Sequence, residues 1–424
     1  MTPVLRIPVQ PWMTQPVLRA VMAALAADRS GGREAPIALF VGGCVRDALL
    51  GRPVGEVDIA TALLPEDVTA RLAAAGIRAI PTGIEHGTVT AVAEGTPFEI
   101  TTLRVDVNPK GRHADVAFTD DWRADAERRD LTMNALFLSP EGDVYDPVGG
   151  LADLRAGHVR FVGEAERRIR EDVLRLLRFF RFHAHYGRVP PDPEGLAACG
   201  RLAHLLPTLS AERVAKETLR LLAAPDPLPA LRLMREAGVL AVLLPEAASL
   251  DLVAALVTVE GVSDGGDAVR RLAALLGADA DTADSVAIRL RLSTRERERL
   301  ADMLQPAGRP SPEAGERAAR ATLYRCGPAT WRDRVLLAWA ASVAAGAAQH
   351  RRAAEGWRAL LDLPERWAVP SPPVRGADVL ALGVAPGPEV GRLVAAVERW
   401  WIEGDFAAGR EDCLAKLREL AGTG

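Results

Sequence analysis

A chain of 424 residues is too long for one ordinary hydrophobic core, so we expect two to four domains. Apolar residues make up 49% of it and charged residues 25%, which excludes a disordered chain, and the 5% aromatic content favours helices over β-sandwiches. The net charge of −4 excludes a uniformly basic surface, so a polyanionic partner would have to bind at local patches.

The cysteines and the hydropathy pattern indicate the compartment. The four cysteines lie far apart, without the spacing of metal ligands or of a disulfide framework, at Cys44, Cys199, Cys326 and Cys413. The N-terminus lacks a signal-peptide pattern, and no stretch approaches the roughly 18 uncharged apolar residues that a membrane span needs. We therefore expect reduced thiols, a cytoplasmic protein and no membrane partner.

The first third of the chain predicts a mixed α/β domain. Residues 14–28 have the spacing of an amphipathic helix. Between residues 37 and 148, one or two helices alternate with short β-type runs, which read ALFV, VDIA, TVTAVA, FEITTLRV and MNALFL. We place this domain at residues 14–150.

From about residue 151 the strand signals almost vanish and helical spacing takes over. The helical segments are predicted at residues 165–186, 196–206, 210–223 and, more roughly, 226–304. A joint rich in proline and glycine at 305–315 precedes a last helical region at 316–424. Residues 151–220 contain thirteen Lys and Arg against nine Asp and Glu, a local positive excess that suits a polyanion.

A glycine pair follows the first buried strand, in the stretch GGCVRD. Gly42 and Gly43 open a helix, where exposed backbone N–H groups suit a phosphate. Arg46, one turn further, could contact phosphate oxygens, and Asp47 could orient its guanidinium. Taken alone, the same pattern is also typical of a simple tight turn.

Two carboxylates, Glu56 and Asp58, stand two residues apart in the run EVDIA. In a strand they would face the same side, and two like charges there disfavour joint ionisation unless a cation is present. Mg²⁺ bound by Glu56 and Asp58 resolves the repulsion, since paired ions roughly 3.5–4 Å apart can clamp both oxygens of a displacement at phosphorus. The alternative is an exposed edge strand whose charges discourage aggregation.

Glu99, in FEITTLRV, is a candidate third carboxylate on an adjacent strand. It could bind metal or accept the proton of an attacking hydroxyl. It could equally be a surface residue of an alternating strand.

These segments resemble the class II tRNA nucleotidyltransferase family, which comprises bacterial CCA-adding enzymes and their poly(A) polymerase relatives. GGCVRDALLG with EVDIAT resembles the glycine–VRD–DxD signature of that family. The next four family motifs are similar, in order, to RRDLTMNALF (128–137), YDPVGG (145–150), EDVLRLLRFFRF (171–182) and LSAERVAKE (209–217). A C-terminal family segment is also similar to residues 376–394.

The resemblance implies an α+β architecture with a polymerase-β-like nucleotidyltransferase head, built from a mixed sheet with helices and carrying the catalytic carboxylates, at 14–150. An all-α neck at 151–225 would select the nucleotide, and a body at 226–305 and a tail at 316–424 would bind RNA. Residues 104–123 correspond to a flexible loop of the family that assists the switch to adenine.

One position departs from the family pattern, which has Asp at both carboxylate positions where this chain has Glu56 and Asp58. Glutamate reaches one methylene further, and Mg²⁺ demands near-ideal octahedral geometry. We therefore expect a reduced rate or an altered metal preference.

Within RRDLTMN, the resemblance makes Arg129 and Asp130 a ribose-reading pair that favours rNTP over dNTP, since a carboxylate accepts hydrogen bonds from ribose hydroxyls. Asn134 is expected to stiffen the turn or the metal-binding strand. Without the other motifs, this charged run would instead indicate a solvated helix face.

The segment 171–182 is predicted to be one helix with Glu171, Arg175 and Arg178 on one stripe, which by itself would also fit salt bridges on a solvated face. The resemblance makes Asp172 and Arg175 a protein template for the incoming base. Asp only accepts and Arg only donates hydrogen bonds, which matches cytosine and adenine and opposes uracil and guanine. Glu171 would hold Arg175, and Arg178 and Arg181 would make further nucleotide contacts.

The function implied is addition of CMP, CMP and AMP to tRNA 3′ ends from CTP and ATP with Mg²⁺, by a monomer or a homodimer. A poly(A) polymerase, or a partial CC- or A-adding enzyme of the same family, is the nearest alternative. A catalytically silent RNA-binding protein is the alternative from another class.

Overall fold

The computed structural model describes residues 1–27, 36–110, 113–247, 250–261, 266–277, 279–346 and 350–422. The chain forms two compact units, Met1–Pro245 and Glu246–Gly424. The first unit contains the sheet, and in the described residues the second is helical. This agrees with the predicted α+β class, whereas the finer division of the chain stays a prediction.

The strands of the first unit alternate with turns and short helices. Their bounds are β1 (Leu5–Arg6), β2 (Ala38–Val41), β3 (Asp58–Thr61), β4 (Arg78–Gly83), β5 (Thr88–Ala93), β6 (Thr96–Thr102), β7 (Arg104–Lys110), β8 (His113–Phe118), β9 (Phe137–Leu138) and β10 (Asp143–Tyr145). Eight of them form one sheet in the order β1-β10-β9-β2-β3-β6-β5-β4, in which β3 and β6 run parallel and the other pairs antiparallel.

Strands β7 and β8 form a separate antiparallel hairpin. The predicted flexible loop at 104–123 is therefore wrong for most of its length, because β-branched and polar residues alternate there and pair across the turn. Arg112 of that segment lies outside the described residues.

Eleven helices of the first unit surround or follow the sheet in the described residues. Their bounds are α1 (Pro16–Ala26), α2 (Gly43–Leu49), α3 (Pro65–Ala74), α4 (Trp122–Glu127), α5 (Gly150–Ala156), α6 (Ala165–Glu171), α7 (Leu174–Tyr186), α8 (Pro193–Leu202), α9 (Ala211–Leu222), α10 (Leu228–Glu236) and α11 (Val239–Leu243). Short 3-10 helices lie at Pro11–Thr14, Ile84–His86, Thr132–Asn134 and Ala203–Thr208.

A buried cluster joins the sheet to α4. Leu39 and Val41 of β2 pack with Ala60 of β3, Trp122 of α4 and Phe137 of β9. The ring centroids of Trp122 and Phe137 lie 5.1 Å apart, edge to face. This core fixes the strands whose ends carry the candidate catalytic residues.

The predicted single helix at 165–186 is broken into α6 and α7 at Asp172. Asp172 has extended backbone angles, φ −149° and ψ 106°, and its Oδ1 accepts the backbone N–H of Leu174 at 3.1 Å. A short carboxylate competes with the helix for such N–H groups, which explains the break. Within α7, Phe179, Phe180 and Phe182 are buried, so the prediction that they belong to the core is confirmed.

The described helices of the second unit are α12 (Leu250–Glu260), α13 (Ala268–Leu276), α14 (Ala280–Arg289), α15 (Thr294–Leu304), α16 (Gly315–Ala344), α17 (His350–Leu361), α18 (Leu363–Arg366), α19 (Gly376–Leu380), α20 (Pro388–Glu403) and α21 (Arg410–Leu420), with a 3-10 turn at Pro312–Ala314. Helix α16 kinks at Gly327, where φ is +75° and Pro328 follows. Among the helices of the described residues, none is long and apolar enough to cross a membrane.

A group of buried ion pairs lies inside the second unit. Glu260 of α12 accepts from Arg270 and Arg271 of α13, both at 2.7 Å. Asp333 of α16 accepts from Arg270 and from Arg299 of α15, each at 2.8 Å. These side chains tie four helices together away from water.

Candidate active site

Sheet register brings the glycine turn and two carboxylates to one place in the first unit. Val41, the last residue of β2, lies opposite Asp58 of β3. Asp58 in turn lies opposite Glu99 of β6 in the parallel pair. Gly42 follows Val41 directly, so the turn into α2 lies beside the carboxylate of Asp58.

Glycine is required at the first position of this turn. Gly42 has φ +74° and ψ −127°, which L side chains rarely adopt. A Cβ atom placed there would lie 3.7 Å from Asp58 Oδ2. Keeping that space free leaves backbone open beside the carboxylate.

Asp58 is under strong electrostatic stress. Burial raises its pKa, the charges of Glu99 and Glu56 raise it further, and Arg129 opposes them, so that the pKa reaches about 6. The three carboxylates therefore act on one another, although Glu56 and Glu99 are exposed.

The prediction that Glu56 and Asp58 share one strand is wrong. Strand β3 begins at Asp58, and Glu56 lies in a bend before it. The physical reason is that β2 ends at Val41, so the residues before Asp58 have no antiparallel partner there. Glu56 reaches the site from a loop, where its longer side chain has freedom to approach Asp58.

The carboxylates fit a divalent cation of the Mg²⁺ type. Mg²⁺ keeps several waters and binds through one or two carboxylates plus substrate phosphates. Among the described residues, no group of three or more His, Cys, Asp or Glu side chains forms a closed metal-ligand set. An open site is what a metal that also binds phosphate requires, and a cation would relieve the repulsion that raises the pKa of Asp58.

Arg46 clamps α2 onto its surroundings. Its Nε and Nη2 donate to the two carboxylate oxygens of Asp47 at 3.1 and 3.0 Å, as the sequence predicts, and Nη1 donates to Asn134 Oδ1 at 3.0 Å. Its guanidinium carbon lies 4.4 Å from the ring centre of Tyr186 and 5.3 Å from that of Phe182. Arg46 is buried, so it positions the turn from behind.

Asp130 is the centre of a second buried node. Its Oδ1 accepts from Asn134 Nδ2 at 3.2 Å and from the backbone N–H of Leu131 at 2.8 Å, and its Oδ2 accepts from Arg178 at 2.6 Å. Burial alone would raise its pKa, but the charge of Arg178 and these hydrogen bonds lower the pKa to about 2. Asp130 is therefore a fixed, ionised acceptor, and Asn134 links it to Arg46.

Arg129 is held by a residue that sequence reasoning missed. Asp125 of α4, which is 1% exposed, accepts from Arg129 Nη2 and Nε at 2.8 and 3.1 Å and from Arg128 Nε at 2.8 Å. Burial raises the pKa of Asp125, but the two arginines outweigh it and lower the pKa. The spacing of four residues between Asp125 and Arg129 is the signal that could have found this pair.

The contact expected between Glu171 and Arg175 is present. Arg175 Nη1 donates to Glu171 Oε2 at 2.7 Å, and Arg175 also donates to the backbone carbonyls of Arg168 and Arg128 at 3.1 and 3.0 Å. Arg168 Nη2 donates to the other oxygen of Glu171 at 2.7 Å. Glu171 is buried, and Arg168 was missed because nothing in its local spacing distinguishes it from other helix-surface arginines.

Asp172 is paired with Arg213 of α9. Arg213 Nη2 donates to Asp172 Oδ2 at 2.8 Å and to Oδ1 at 3.2 Å. One turn later on α9, the buried Glu217 accepts from Arg181 Nε at 2.5 Å. Arg181 therefore faces α9, and Arg213 was missed although it lies inside the quoted motif LSAERVAKE.

Comparisons with known proteins agree with these observations. Residues 38–160 match a family model described as the poly A polymerase head domain, and residues 190–250 match one described as a probable RNA and SrmB-binding site of polymerase A. The CCA tRNA nucleotidyltransferase 1, mitochondrial, of Mus musculus is 34% identical over 388 residues, which are 90% of this chain and 86% of that protein. The Homo sapiens protein of the same name is also 34% identical, with the same coverage.

Bacterial relatives match a smaller part of the sequence at higher identity. The CCA-adding enzyme of Geobacillus stearothermophilus is 44% identical over 204 residues, which are 47% of this chain and 49% of that protein. Among solved structures, the Bacillus stearothermophilus CCA-adding enzyme in complex with CTP has a TM-score of 0.71 and 29% identity, covering 96% of this chain and 98% of that one. A head of mixed sheet and helices, the motif order and similarity over nine-tenths of the sequence thus agree, and the chain belongs to the family of CCA tRNA nucleotidyltransferases.

Proposed function

We propose that this protein adds CMP, CMP and AMP, in that order, to the 3′ end of tRNA from CTP and ATP. In each step the terminal 3′-hydroxyl attacks the α-phosphate in line, a new ester bond forms and pyrophosphate leaves. The observation that carries the proposal is the register that sets Asp58 opposite Glu99 and beside Gly42.

The carboxylates would hold Mg²⁺ through Asp58 and Glu56. A bound divalent ion supplies charge stabilisation at the attacking and leaving oxygens. The backbone at Gly42 and Gly43 accommodates the triphosphate, because no side chain stands between it and Asp58. Glu99, exposed on β6, accepts the proton that the 3′-hydroxyl loses.

Asp130 and Arg129 would read the ribose. Asp130 is ionised and held on both oxygens, so its remaining lone pairs point in fixed directions toward ribose hydroxyls. A deoxyribonucleotide would leave this buried acceptor with a lost hydrogen bond, which favours rNTP. Arg178 holds the carboxylate from α7, and this contact couples the ribose site to the base-reading helix.

Asp172 and Arg175 would read the base. Cytosine and adenine each present an amino donor to Asp172 and a ring-nitrogen acceptor to Arg175. Uracil and guanine present a carbonyl to Asp172 and an N–H to Arg175, so both contacts are lost or repulsive. One site thus accepts CTP and ATP and refuses UTP and GTP, with Glu171 orienting Arg175.

The partners proposed are tRNA, CTP and ATP. Solved relatives of the same fold include one complexed with tRNA and others with ATP or CTP. We propose that scattered arginines of the helical part contact the tRNA backbone and acceptor shape rather than base edges. A cytoplasmic location and a monomeric or homodimeric state stay predictions, since some relatives are mitochondrial proteins.

Poly(A) polymerase activity is the second candidate, because the head matches a model described by that name. The acidic net charge argues against it, since a nonspecific RNA binder gains from excess positive charge.

One assay separates these functions. Purified protein is incubated with Mg²⁺ and tRNA lacking its last three nucleotides, with each NTP separately and with CTP and ATP together. We expect CMP incorporation from CTP alone and a stop at three nucleotides with both. Long A tails would establish the polymerase, two C residues or one A alone would establish a partial enzyme, and no incorporation would establish an RNA-binding protein.

A further inference from the structure

The contacts of Asp172 leave one acceptor position open. A carboxylate has about four lone-pair positions. Among the described residues, Oδ1 accepts from the backbone N–H of Leu174 and from Arg213, and Oδ2 accepts from Arg213 alone. One position on Oδ2 therefore stays open, which is what a single amino N–H of cytosine or adenine requires.

The acceptor and the donor of the base-reading pair are held by different elements. Arg175 is fixed by Glu171 at the end of α6 and by the carbonyls of Arg128 and Arg168. Asp172 is fixed from α9, through Arg213. A change at Arg213 should thus disturb the amino-reading end of the site and leave Arg175 in place.

Helix α9 is anchored so that it can serve as this support. It packs against α7, and one turn beyond Arg213 the buried Glu217 pairs with Arg181. Lys216, on the same helix, is exposed. The side chains of Arg213 and Asp172 are 26% and 28% exposed, so their pair sits at the edge of the site, where a nucleotide base can reach it.

We propose that Arg213 is a positioning residue that sets the discrimination between bases with an amino group and bases with a carbonyl at that edge. By directing both oxygens of Asp172, it aims the open lone pair at the amino group of CTP or ATP. The carbonyl of UTP or GTP then meets the same oxygen and is refused. This inference rests on the proposed function, because it takes Asp172 to be the base-reading acceptor.

The test compares kcat/KM for CTP and for UTP on tRNA lacking its last three nucleotides. Arg213→Ala is expected to lower the CTP-to-UTP ratio about tenfold, the size of effect of a lost charge-assisted hydrogen bond. Arg213→Lys, which keeps a donor, is expected to retain part of the ratio. Lys216→Ala removes the same charge from the same helix and is expected to leave the ratio unchanged.

A double variant separates positioning from a general structural role. In an Asp172→Asn background, Arg213→Ala is expected to change the ratio no further, since the acceptor it directs is gone. If both Arg213 variants fold, as circular dichroism and thermal unfolding would show, but lower CTP and UTP use equally, the inference is wrong. If wild-type protein incorporates neither CMP nor AMP, the proposed function itself is wrong.

Discussion

At the scale of single residues, Asp58 links catalysis to stability. Its pKa of about 6 lies above the ordinary value of 3.8, so its ionisation costs folding free energy. That cost is absent below about pH 4, grows as the pH rises to about 6 and is complete above it. Asp58→Asn is therefore expected to stabilise the metal-free fold by about 1 kcal/mol at pH 8, after allowance for solvent screening.

The measurement is urea unfolding of wild type and Asp58→Asn at pH 4 and pH 8, with and without Mg²⁺. The variant's advantage should vanish at pH 4, and added Mg²⁺ should stabilise the wild type only. An equal advantage at both pH values would show that the charge of Asp58 is not the cause.

Glu56 carries the family's unusual carboxylate on an exposed bend. Because the bend is outside the core, Glu56→Asp should change the free energy of unfolding by no more than about 0.5 kcal/mol. We expect it to raise turnover with Mg²⁺ or to shift the preference between Mg²⁺ and Mn²⁺, since the shorter side chain restores the family's ligand geometry. Equal turnover of both proteins with both metals would remove Glu56 from the metal site.

At the scale of elements, the β-rich runs were readable from sequence and the long-range pairs were not. The predicted runs ALFV and TVTAVA correspond to β2 and β5, because buried β-branched and apolar residues cluster there. The break at Asp172 and the hairpin β7–β8 were missed, because each depends on a local hydrogen bond or pairing that periodicity does not report. Arg213 was missed for a similar reason, since its partner lies 41 residues away.

Helix α4 supplies a testable anchor for the ribose-reading segment. Asp125 is buried and accepts from Arg128 and Arg129, so removing it takes the shared counter-charge from both. Asp125→Ala is expected to cost about 3 kcal/mol of stability, as for a broken buried ion pair. Urea unfolding measures this, and Arg123→Ala on the exposed face of α4 is the matched control, expected to change little. A loss below about 1 kcal/mol would contradict the anchoring role.

At the scale of the whole molecule, charge is distributed unevenly, and the buried part of it was hidden from sequence. The net charge of −4 conceals both the positive excess at 151–220 and the buried pairs of the second unit. Composition could indicate that a polyanion must bind locally, but no spacing rule predicts that Glu260 meets Arg270 and Arg271 in the interior. Such pairs depend on helix packing, which local pattern does not encode.

The second unit should depend on this buried network. Glu260→Gln removes a charge that accepts from both arginines of α13, and we expect a loss of about 3 kcal/mol. Thermal unfolding of the full chain measures it, with Glu296→Gln, at the exposed start of α15, as a control that should lose far less. A wild-type unfolding midpoint in the Glu260 variant would contradict the role of the network.

The most direct test of the account is a crystal structure of the protein soaked with CTP and Mg²⁺. The account predicts the cytosine amino group within hydrogen-bond distance of the Asp172 carboxylate, with Arg175 donating to the ring and the triphosphate beside Gly43 and Asp58. A base bound away from Asp172 and Arg175, with its phosphates far from Asp58, would contradict it.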